Sequence, residues 1–341
     1  MWRLCGAALL ICASLCSCSR QEKFVEQRMQ MATVTEIQVL APARDEARAR
    51  AAMQSAFAAI DAVEANLSWF KPDSDPARIR RAQPGEVVKV SPWTFQSLEL
   101  ARSITKLTDG IYDVCAGPII RLWGFGPGKT NRVPTDAELA AALLRTGMDK
   151  LVLLGAQQAV SSVVAGVDVD LSSLAAGFAV DRAAEALLAA GYSNFLVNGG
   201  GEIRTSSLGR KVWRIGVQVP TEDSAPGEYM QDRVLKLRTA SISTSGSYRN
   251  FYKAGTSTYA HIVNPKTGRP LRSDTVSVTT WAENCTLADA WSTALFAVPV
   301  ERAIELANRL PEVECLVVQH PASGNKSFRF LYSDAFRRET E

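Results

Sequence analysis

Residues 169–198, VDLSSLAAGFAVDRAAEALLAAGYSNFLVN, show the order of elements that decides the fold class. The Val-Asp-Leu at 169–171 resembles a strand, and two serines then lead into a helix that should run from about residue 174 to 190. Gly191 ends this helix, and the apolar and β-branched residues at 194–198 predict a strand. Residues 169–198 are therefore predicted to form a helix between two extended segments.

Further helices are indicated on both sides of this unit. Apolar residues at helical spacing predict a long helix over 45–67, and a second helix should span 92–107. Thr135 and Glu138 form a capping box that opens a helix closed by Gly147. A last pair of helices is predicted over about 287–310.

The strands decide how these helices are arranged. Besides 194–198, runs of β-branched and aromatic residues predict strands at 35–41, 212–219, 259–263, 276–281 and 315–319. Because strands and helices do not alternate strictly, we predict an α+β fold rather than a doubly wound parallel one. The sheet should be mixed or antiparallel with flanking helices, in a single two-lobed domain over residues 31–341.

The composition excludes several classes of function. The chain has 341 residues, of which 47% are hydrophobic, so it can fold around a sizeable core. The 38 Lys and Arg residues against 35 Asp and Glu leave a net charge of +3, which is too weak a field to attract nucleic acid. The only histidines are His261 and His320, so a zinc site built from several histidines is excluded.

The first residues, MWRLCGAALLICASLCSCSR, have the layout of a secretory signal. Their apolar run is shorter than the about 20 residues that span a bilayer. The LCSC at 15–18 resembles the lipobox of bacterial lipoproteins, which predicts a signal peptide over 1–17 and lipidation of Cys18. Processing at Cys16 and an ordinary secretory peptide are the alternatives. Residues 18–30 are polar and lack apolar periodicity, so they are predicted to form a tether.

The remaining cysteines do not indicate a disulfide framework. Cys115, Cys285 and Cys315 are odd in number and widely separated. We therefore predict buried free thiols at these positions. The alternative, for an exported chain, is a disulfide between two of the three, and the sequence does not indicate which two.

Two stretches combine glycine with residues suited to a nucleotide. Residues 108–128, TDGIYDVCAGPIIRLWGFGPG, place glycines around aromatic residues, and such a loop can approach a planar ring closely. The alternative is a turn-rich connection with core aromatics. Residues 169–181 place two serines at a helix start, where free N–H groups suit a phosphate. A simple N-cap by Ser172 or Ser173 is the alternative there.

Three further stretches carry polar groups at informative positions. The NGGGE at 198–202 could cradle an anion, although a glycine run alone is weak evidence. The segments STSGSY at 243–248 and YAHIVNPKTG at 259–268 place His261 beside a turn. In LADAWSTAL, Asp289 and Thr293 are four residues apart, so on a helix both oxygens share one face and can bind a hard cation. The alternative is a solvated Asp and a Thr bonded to its own backbone.

Taken together, these stretches resemble the FAD:protein FMN transferases, the ApbE family of flavin-transferring periplasmic lipoproteins. The resemblance runs from Met31 to the C-terminal region, in one order. It is carried by YDVCAGPIIRLWGFGPG, DLSSLAAGFAVD, NGGGEI, STSGSYRNF, HIVNPKTGRP and ADAWSTAL.

The resemblance implies a chemistry and a set of site residues. FAD is bound with Mg²⁺, a Thr or Ser hydroxyl of a partner protein attacks the phosphorus on the FMN side, and AMP leaves. The implied Mg²⁺ ligands are Asp289, Thr293 and Ser173, the last through its backbone oxygen, and His261 is the implied catalytic residue near the reacting phosphate. The implied FAD contacts are Met31, Phe70, Ile111, Tyr112, Asp113, Asp170, Ala176 and His261.

The chain also departs from the family pattern. Ala176 stands where many members carry Lys or Glu, Asn264 replaces a common Asp, and Phe70 replaces a common Tyr. Ala176 loses one polar contact to FAD, and each of the three changes is expected to weaken FAD binding, since a hydrogen bond to a charged group contributes about 1.5 to 3 kcal/mol. Asp289, Thr293 and His261 remain, so transfer is still expected.

The leading expectation is a periplasmic, lipid-anchored FMN transferase that flavinylates subunits of membrane electron-transfer complexes. By resemblance to lipoprotein sorting, Ser19 after the anchor favours the outer rather than the inner membrane. The alternatives are an FAD pyrophosphatase, which releases FMN and AMP, and a non-catalytic flavin-binding lipoprotein.

Overall fold

The computed structural model describes residues 21–127, 132–209, 211–221, 228–246, 251–254, 257–321 and 327–336. Its helices are α1 (Glu46–Leu67), α2 (Asp75–Arg81), α3 (Pro92–Leu107), α4 (Gly117–Leu122), α5 (Asp136–Leu143), α6 (Ser172–Ala189), α7 (Cys285–Ala297) and α8 (Val300–Arg309). Its strands are β1 (Gln21–Gln30), β2 (Thr33–Pro42), β3 (Val88–Lys89), β4 (Leu151–Leu154), β5 (Ala159–Ser162), β6 (Phe195–Asn198), β7 (Ile203–Ser206), β8 (Trp213–Gln218), β9 (Tyr229–Leu237), β10 (Ala240–Gly246), β11 (Phe251–Ala254), β12 (Ser257–Ala260), β13 (Val263–Asn264), β14 (Arg269–Pro270), β15 (Thr275–Ala282), β16 (Val313–Gln319) and β17 (Arg329–Tyr332).

One antiparallel sheet organises the described chain. Its eight strands follow the order β1-β2-β6-β7-β10-β15-β16-β17. Each neighbouring pair is antiparallel. The predicted α+β class with flanking helices is confirmed, and the sheet is of the antiparallel kind among the two that the sequence allowed.

Three helices cover one face of this sheet. Helix α1 packs against α6, α6 packs against α7, and α7 lies over β10 and β15. The largest hydrophobic core fills this layer, with Phe57, Phe178 and Trp291 among its buried side chains. The opposite face packs against the β8–β9 ribbon through a second core that contains Trp213 and Leu237. Because α7 is enclosed by α6 and the sheet, its position is fixed from several sides.

The predicted tether is wrong for residues 21–30, which form β1 and pair with β2 from Gln21↔Pro42 to Gln30↔Thr33. The sequence did not predict this strand because few of its side chains are apolar and buried. Phe24 packs in the core, and Gln30 donates from Nε2 to the Phe57 carbonyl at 2.9 Å. The guanidinium of Arg28 lies 4.4 Å from the Phe57 ring centre. Polar side chains thus attach this strand to α1.

Most helix predictions agree with the structure to within a few residues, and three details differ. The capping box of Thr135 and Glu138 is present, but α5 ends at Leu143, before Gly147. Residues 169–171 form no strand and pair in no sheet. The strand predicted over 259–263 is interrupted at 261–262, where the chain bends between β12 and β13. That bend carries His261.

Two further expectations from the sequence concern the cysteines and a membrane-spanning helix. Cys115, Cys285 and Cys315 are free and buried, as predicted. Within the described ranges, no helix is long and apolar enough to cross a membrane. The predicted signal peptide over 1–17 and Cys18 lie outside the described residues.

Candidate active site

A cavity of about 630 Å³ opens beside the ends of α6 and α7. Its volume lies in the range of small-molecule sites. Its walls come from segments that are distant in sequence. Most of the residues expected at the site line it, namely Phe70, Ile111, Tyr112, Asp113, Asp170, Ser173, His261, Asp289 and Thr293. The structure therefore brings five separate stretches of sequence to one place.

One wall of the cavity is formed where α6 and α7 touch. Gly177 of α6 donates its N–H to Asp289 Oδ2 of α7 at 2.8 Å. A Cβ on Gly177 would lie 2.7 Å from Asp289 Cβ and closer still to the Cys285 carbonyl oxygen, so only glycine permits this approach. Asp289 is 5% exposed, which contradicts the alternative of a solvated Asp. The close helix contact is what directs this carboxylate at the cavity.

Thr293, one turn after Asp289, reaches the same cavity. Its Oγ1 is 2.9 Å from the Ser245 hydroxyl of β10, which in turn lies 2.7 Å from Ser292 Oγ. Thr293 thus contacts a hydroxyl of the sheet, unlike the alternative of a Thr bonded only to its own helix. The arrangement fixes the Thr293 rotamer, so a hydroxyl and a carboxylate lie one helical turn apart on one wall.

A second carboxylate, that of the half-buried Glu202, lines the cavity beside Asp289. Burial raises the pKa of Asp289 well above its usual value, and the negative charge of Glu202 raises it further. Burial likewise raises the pKa of Glu202, opposed by a hydrogen bond from Ser243 Oγ at 3.4 Å. Two carboxylates enclosed together repel each other, and a bound cation relieves that repulsion.

Glu202 follows the glycine run that the sequence indicated as a possible anion cradle. In this run, the backbone N–H groups of Gly200 and Gly201 both donate to the Asn198 side-chain oxygen, at 3.0 Å each. Both glycines have positive φ, 104° and 135°. The anion cradle is therefore wrong for these two N–H groups, because they stabilise the turn between β6 and β7. The turn instead presents Glu202 to the cavity.

The floor of the cavity is held by Tyr112, Ser173 and Asp170. The Tyr112 hydroxyl lies 2.9 Å from Ser173 Oγ on the first turn of α6, and burial raises the pKa of Tyr112. Asp170 Oδ1 accepts the Ser172 N–H at 2.9 Å, while burial raises the pKa of this carboxyl. The alternative of a simple N-cap by Ser172 or Ser173 is wrong, since neither side chain caps α6. Asp170 supplies the oxygen instead.

Asp113 contributes to the cavity while supporting its own loop. Its two carboxylate oxygens accept the N–H groups of Cys115 at 2.7 Å and Met148 at 2.8 Å. Burial raises its pKa, and these two hydrogen bonds oppose that shift. Asp113 therefore fixes the backbone that carries Ile111 and Tyr112.

Aromatic side chains form the outer part of the cavity. Phe70 is 59% exposed and meets Trp69 edge to face, with ring centres 5.9 Å apart. Trp69 donates from Nε1 to Asp168 Oδ1 at 2.7 Å. Phe125 meets His261 edge to face with ring centres 6.3 Å apart, so the imidazole lies against an aromatic wall. An exposed ring beside a cavity suits stacking of a planar ligand.

Comparisons with known proteins identify the family. Residues 31–317 match the model of the ApbE family. The chain belongs to the ApbE family. It is similar to the FAD:protein FMN transferase of Vibrio cholerae, with 35% identity over 74% of this chain and 75% of that protein. It is also similar to that of Haemophilus influenzae, with 30% identity over 98% of this chain and 96% of that protein.

Solved ApbE structures share the fold. The flavin transferase ApbE from Vibrio cholerae has a TM-score of 0.81 at 30% identity, covering 93% of this chain and 99% of that chain. The ApbE protein from Thermotoga maritima has a TM-score of 0.81 at 26% identity, covering 94% of this chain and 100% of that one. The fold and the family are thus established by sequence and by structure.

Some residues expected from the ApbE pattern lie away from the cavity. Met31 packs at the edge of the core and Ala176 is half-buried on α6, and neither is among the lining residues. Their contact with flavin stays a prediction. Asn264 accepts the N–H groups of Lys266 at 2.9 Å and Thr267 at 3.3 Å. An Asp would accept the same bonds, so Asn264 preserves the turn that follows His261.

Sequence reasoning also missed several residues of the site. They are Thr33, Trp69, Glu202, Thr244 and Ser245. Glu202 and Ser245 belong to stretches that the sequence had singled out for glycine and serine content. A carboxylate directly after a glycine run, and alternate hydroxyls along a strand, were the signals that could have found them.

Proposed function

We propose that this ApbE-family protein transfers FMN from FAD to a Ser or Thr hydroxyl of a partner protein and releases AMP. One observation carries the proposal: Asp289 is buried in the wall of a cavity with Thr293 one helical turn away and an aromatic rim opposite. Such a cavity offers oxygen ligands at one end and ring surfaces at the other. A dinucleotide with a flavin at one end has matching chemistry.

The residues present fit a magnesium ion. Among the described residues, neither Asp289 nor Glu202 forms an ion pair, and a buried carboxylate such as that of Asp289 requires compensation. The described part of the chain has no group of three His, Cys, Asp or Glu residues suited to a metal. Mg²⁺ commonly uses one or two carboxylates together with substrate phosphates and water, so a small ligand set suits it. When bound, it would neutralise charge on the FAD pyrophosphate.

We assign Asp289, Thr293 and the backbone oxygen of Ser173 as the Mg²⁺ ligands. Gly177 N–H donates to Asp289. In a regular helix the same N–H would donate to the carbonyl four residues earlier, which is that of Ser173. Competition for this N–H leaves the Ser173 carbonyl more available to a cation. Glu202 contributes negative charge to the same end of the cavity.

The chain's other residues bind and position the substrate and move a proton. Phe70 and Ile111 line the apolar part, where the flavin or adenine ring would pack. The acceptor hydroxyl oxygen attacks the phosphorus on the FMN side, the bond from that phosphorus to the AMP oxygen breaks, and AMP departs. His261 would accept the hydroxyl proton, since its ring faces the cavity. The product is a phosphoester between FMN and the acceptor.

Cellular placement is part of the same proposal. The signal-like N-terminus and the LCSC at 15–18 support lipidation at Cys18 and a periplasmic location. Two or more acyl chains would retain the protein at a membrane, and Ser19 favours the outer one. The proposed acceptors are subunits of membrane electron-transfer complexes. An acceptor must present a hydroxyl to the cavity on the periplasmic side.

A single assay separates the proposal from its alternatives. The protein is incubated with FAD, MgCl₂ and a candidate acceptor domain, and the acceptor's intact mass and free AMP are measured. An acceptor that gains FMN supports the proposal. Release of FMN and AMP without an adduct supports FAD pyrophosphatase activity, and bound FAD without turnover supports a flavin-binding lipoprotein.

Variants test the metal site in the same assay. Asp289→Ala should lose most transfer, and Thr293→Ala should lose less because a neutral hydroxyl binds a hard cation more weakly than a carboxylate. A chelator should reproduce the Asp289→Ala result. Asp136→Ala is the matched control, since Asp136 lies on α5 and pairs with Arg269 at the surface. Native transfer by Asp289→Ala, or in excess chelator, would contradict the metal site.

A further inference from the structure

Asp181 is a buried carboxylate of α6 that lies outside the cavity. It is 2% exposed and is not among the cavity's lining residues. Its Oδ1 accepts the Cys285 N–H at 2.9 Å, and its Oδ2 accepts the Thr286 N–H at 2.8 Å. Thr286 Oγ1 also donates to Oδ2 at 2.6 Å. Three of its hydrogen bonds therefore hold the first residues of α7.

These bonds complete the cap of α7. The first N–H groups of a helix have no partner within the helix. Asp181 takes those of Cys285 and Thr286, and the Asn284 side chain takes that of Leu287 at 2.9 Å. A carboxylate from a neighbouring helix thus satisfies the N-terminus of α7 and faces its positive dipole end.

The same pair of helices has a second link one turn away. Gly177 and Asp181 are four residues apart on α6, and Cys285 and Asp289 are four apart on α7. Gly177 donates to Asp289, while Asp181 accepts from Cys285. The two links together fix both the translation of α7 along α6 and its rotation about its own axis. The direction of the Asp289 carboxylate depends on that rotation.

Arg204 of β7 provides the balancing charge. Its Nη1 lies 2.5 Å from Asp181 Oδ1, and its side chain is 21% exposed. A buried carboxylate without a cation is costly, and Arg204 supplies that cation while giving Asp181 its fourth hydrogen bond. A strand of the sheet, through Arg204 and Asp181, is thereby connected to the helix that carries Asp289.

We propose that Asp181 is a positioning residue for the cation site: it sets the axial rotation of α7 and so places Asp289 and Thr293, without contacting the substrate. This inference rests on the proposed function, because it takes Asp289 and Thr293 to be metal ligands. A purely structural role would lower stability alone. In a purely electrostatic role, the charge of Asp181 would change cation affinity without any change in the position of α7.

The experiment measures Mn²⁺ binding to the full-length protein saturated with FAD, by calorimetry, at a temperature where each variant is folded. Asp181→Asn should raise the Mn²⁺ dissociation constant about 10-fold or more, the scale found when groups that orient metal ligands are removed. Thr286→Val removes one bond to Asp181 without a change of charge, and should weaken binding by a smaller factor. Thermal unfolding is recorded for every variant.

Arg204→Met separates positioning from charge. If Asp181 acted only through its field, loss of the nearby cation would tighten Mn²⁺ binding and Thr286→Val would have no effect. If Asp181 positions α7, both substitutions weaken binding. Glu185→Gln is the matched control, because it removes an exposed carboxylate of the same helix, whose ion-pair partner among the described residues is Arg182. Its Mn²⁺ affinity should remain that of the wild type.

Asp289→Ala separates a failure of the proposed metal site from a failure of the positioning role of Asp181. If Asp289→Ala binds Mn²⁺ like the wild type, or the wild type does not bind it, the proposed metal site is wrong and the inference falls with it. If Asp289→Ala loses binding while Asp181→Asn and Thr286→Val keep wild-type affinity, the metal site stands and the positioning role of Asp181 is overturned. Should Arg204→Met not fold, Thr286→Val still decides the question.

Discussion

Replacing Gly177 by Ala tests whether the close contact of α6 and α7 is required for the site. The added Cβ would lie 2.7 Å from Asp289 Cβ and nearer to the Cys285 carbonyl, and real Cβ contacts below 3.0 Å are essentially never seen. The clash is with backbone and with the base of a side chain, so α7 itself must move. The required shift is on the order of 1 Å, enough to cost about 100-fold in rate when it displaces catalytic groups.

The effect on stability has two opposing parts. Alanine favours a helix interior over glycine by about 1 kcal/mol. Overpacking costs about 1 to 3 kcal/mol, and loss of the Gly177 N–H bond to the Asp289 carboxylate costs about 1.5 to 3 kcal/mol. The net expectation is a folded protein destabilised by about 1 to 5 kcal/mol, with transfer reduced far more than its unfolding free energy would suggest.

The assay compares initial FMN transfer rates, by acceptor mass, with urea unfolding of the same preparations. Gly155→Ala is the matched control, since its added Cβ meets only Phe95 Cζ at 3.8 Å. It should retain transfer and stability. A Gly177→Ala protein that transfers FMN within about twofold of the wild-type rate would refute the reasoning, because a 1 Å displacement of Asp289 would then have no consequence.

Three further substitutions probe other contacts. Trp69→Phe removes the Nε1 donor to Asp168 and should lower the unfolding free energy by about 1.5 to 3 kcal/mol in urea titrations. Tyr112→Phe removes the hydroxyl that contacts Ser173 and should cost about 0.5 to 1.5 kcal/mol, whereas an unchanged value would make that contact unimportant. Hydrogen bonds from Arg132 and Thr135 lower the pKa of Glu138 from 4.5 to about 2. The wild type should therefore melt higher than Glu138→Gln above pH 4.5, and the difference should vanish as the pH falls towards 2.

The sequence predicted elements where a local pattern fixes them. Helix α3 follows from Ser91 and Pro92, because a capping serine and a proline at the first position define a helix start. Helix α1 follows from its apolar periodicity. β1 was missed because its attachment depends on Gln30 and on the stem of Arg28, whose partners lie on α1 and are unknown until the chain is folded.

The sequence predicted which residues belong to the candidate site better than it predicted how they are arranged. Resemblance indicated Asp289, Thr293 and His261, and the structure brings all three to one cavity. The sequence did not show that Glu202 joins them, because the turn that presents it depends on positive φ at two glycines and on the Asn198 side chain. It also did not show that Tyr112 contacts Ser173, since the two are separated by 61 residues.

The motif at 169–181 is long because it places several residues of one helix in contact with other parts of the site. Along α6, Ser173, Gly177 and Asp181 follow at four-residue intervals, so they form one stripe on a helix whose other faces are mostly apolar. Ser173 contacts Tyr112, Gly177 contacts Asp289, and Asp181 holds the start of α7. A polar residue or glycine at each turn of an otherwise apolar helix cannot be explained by core packing, which would favour Leu or Ala there. The stripe is instead the surface on which a second helix is positioned, and the proposed cation site lies where the two helices meet.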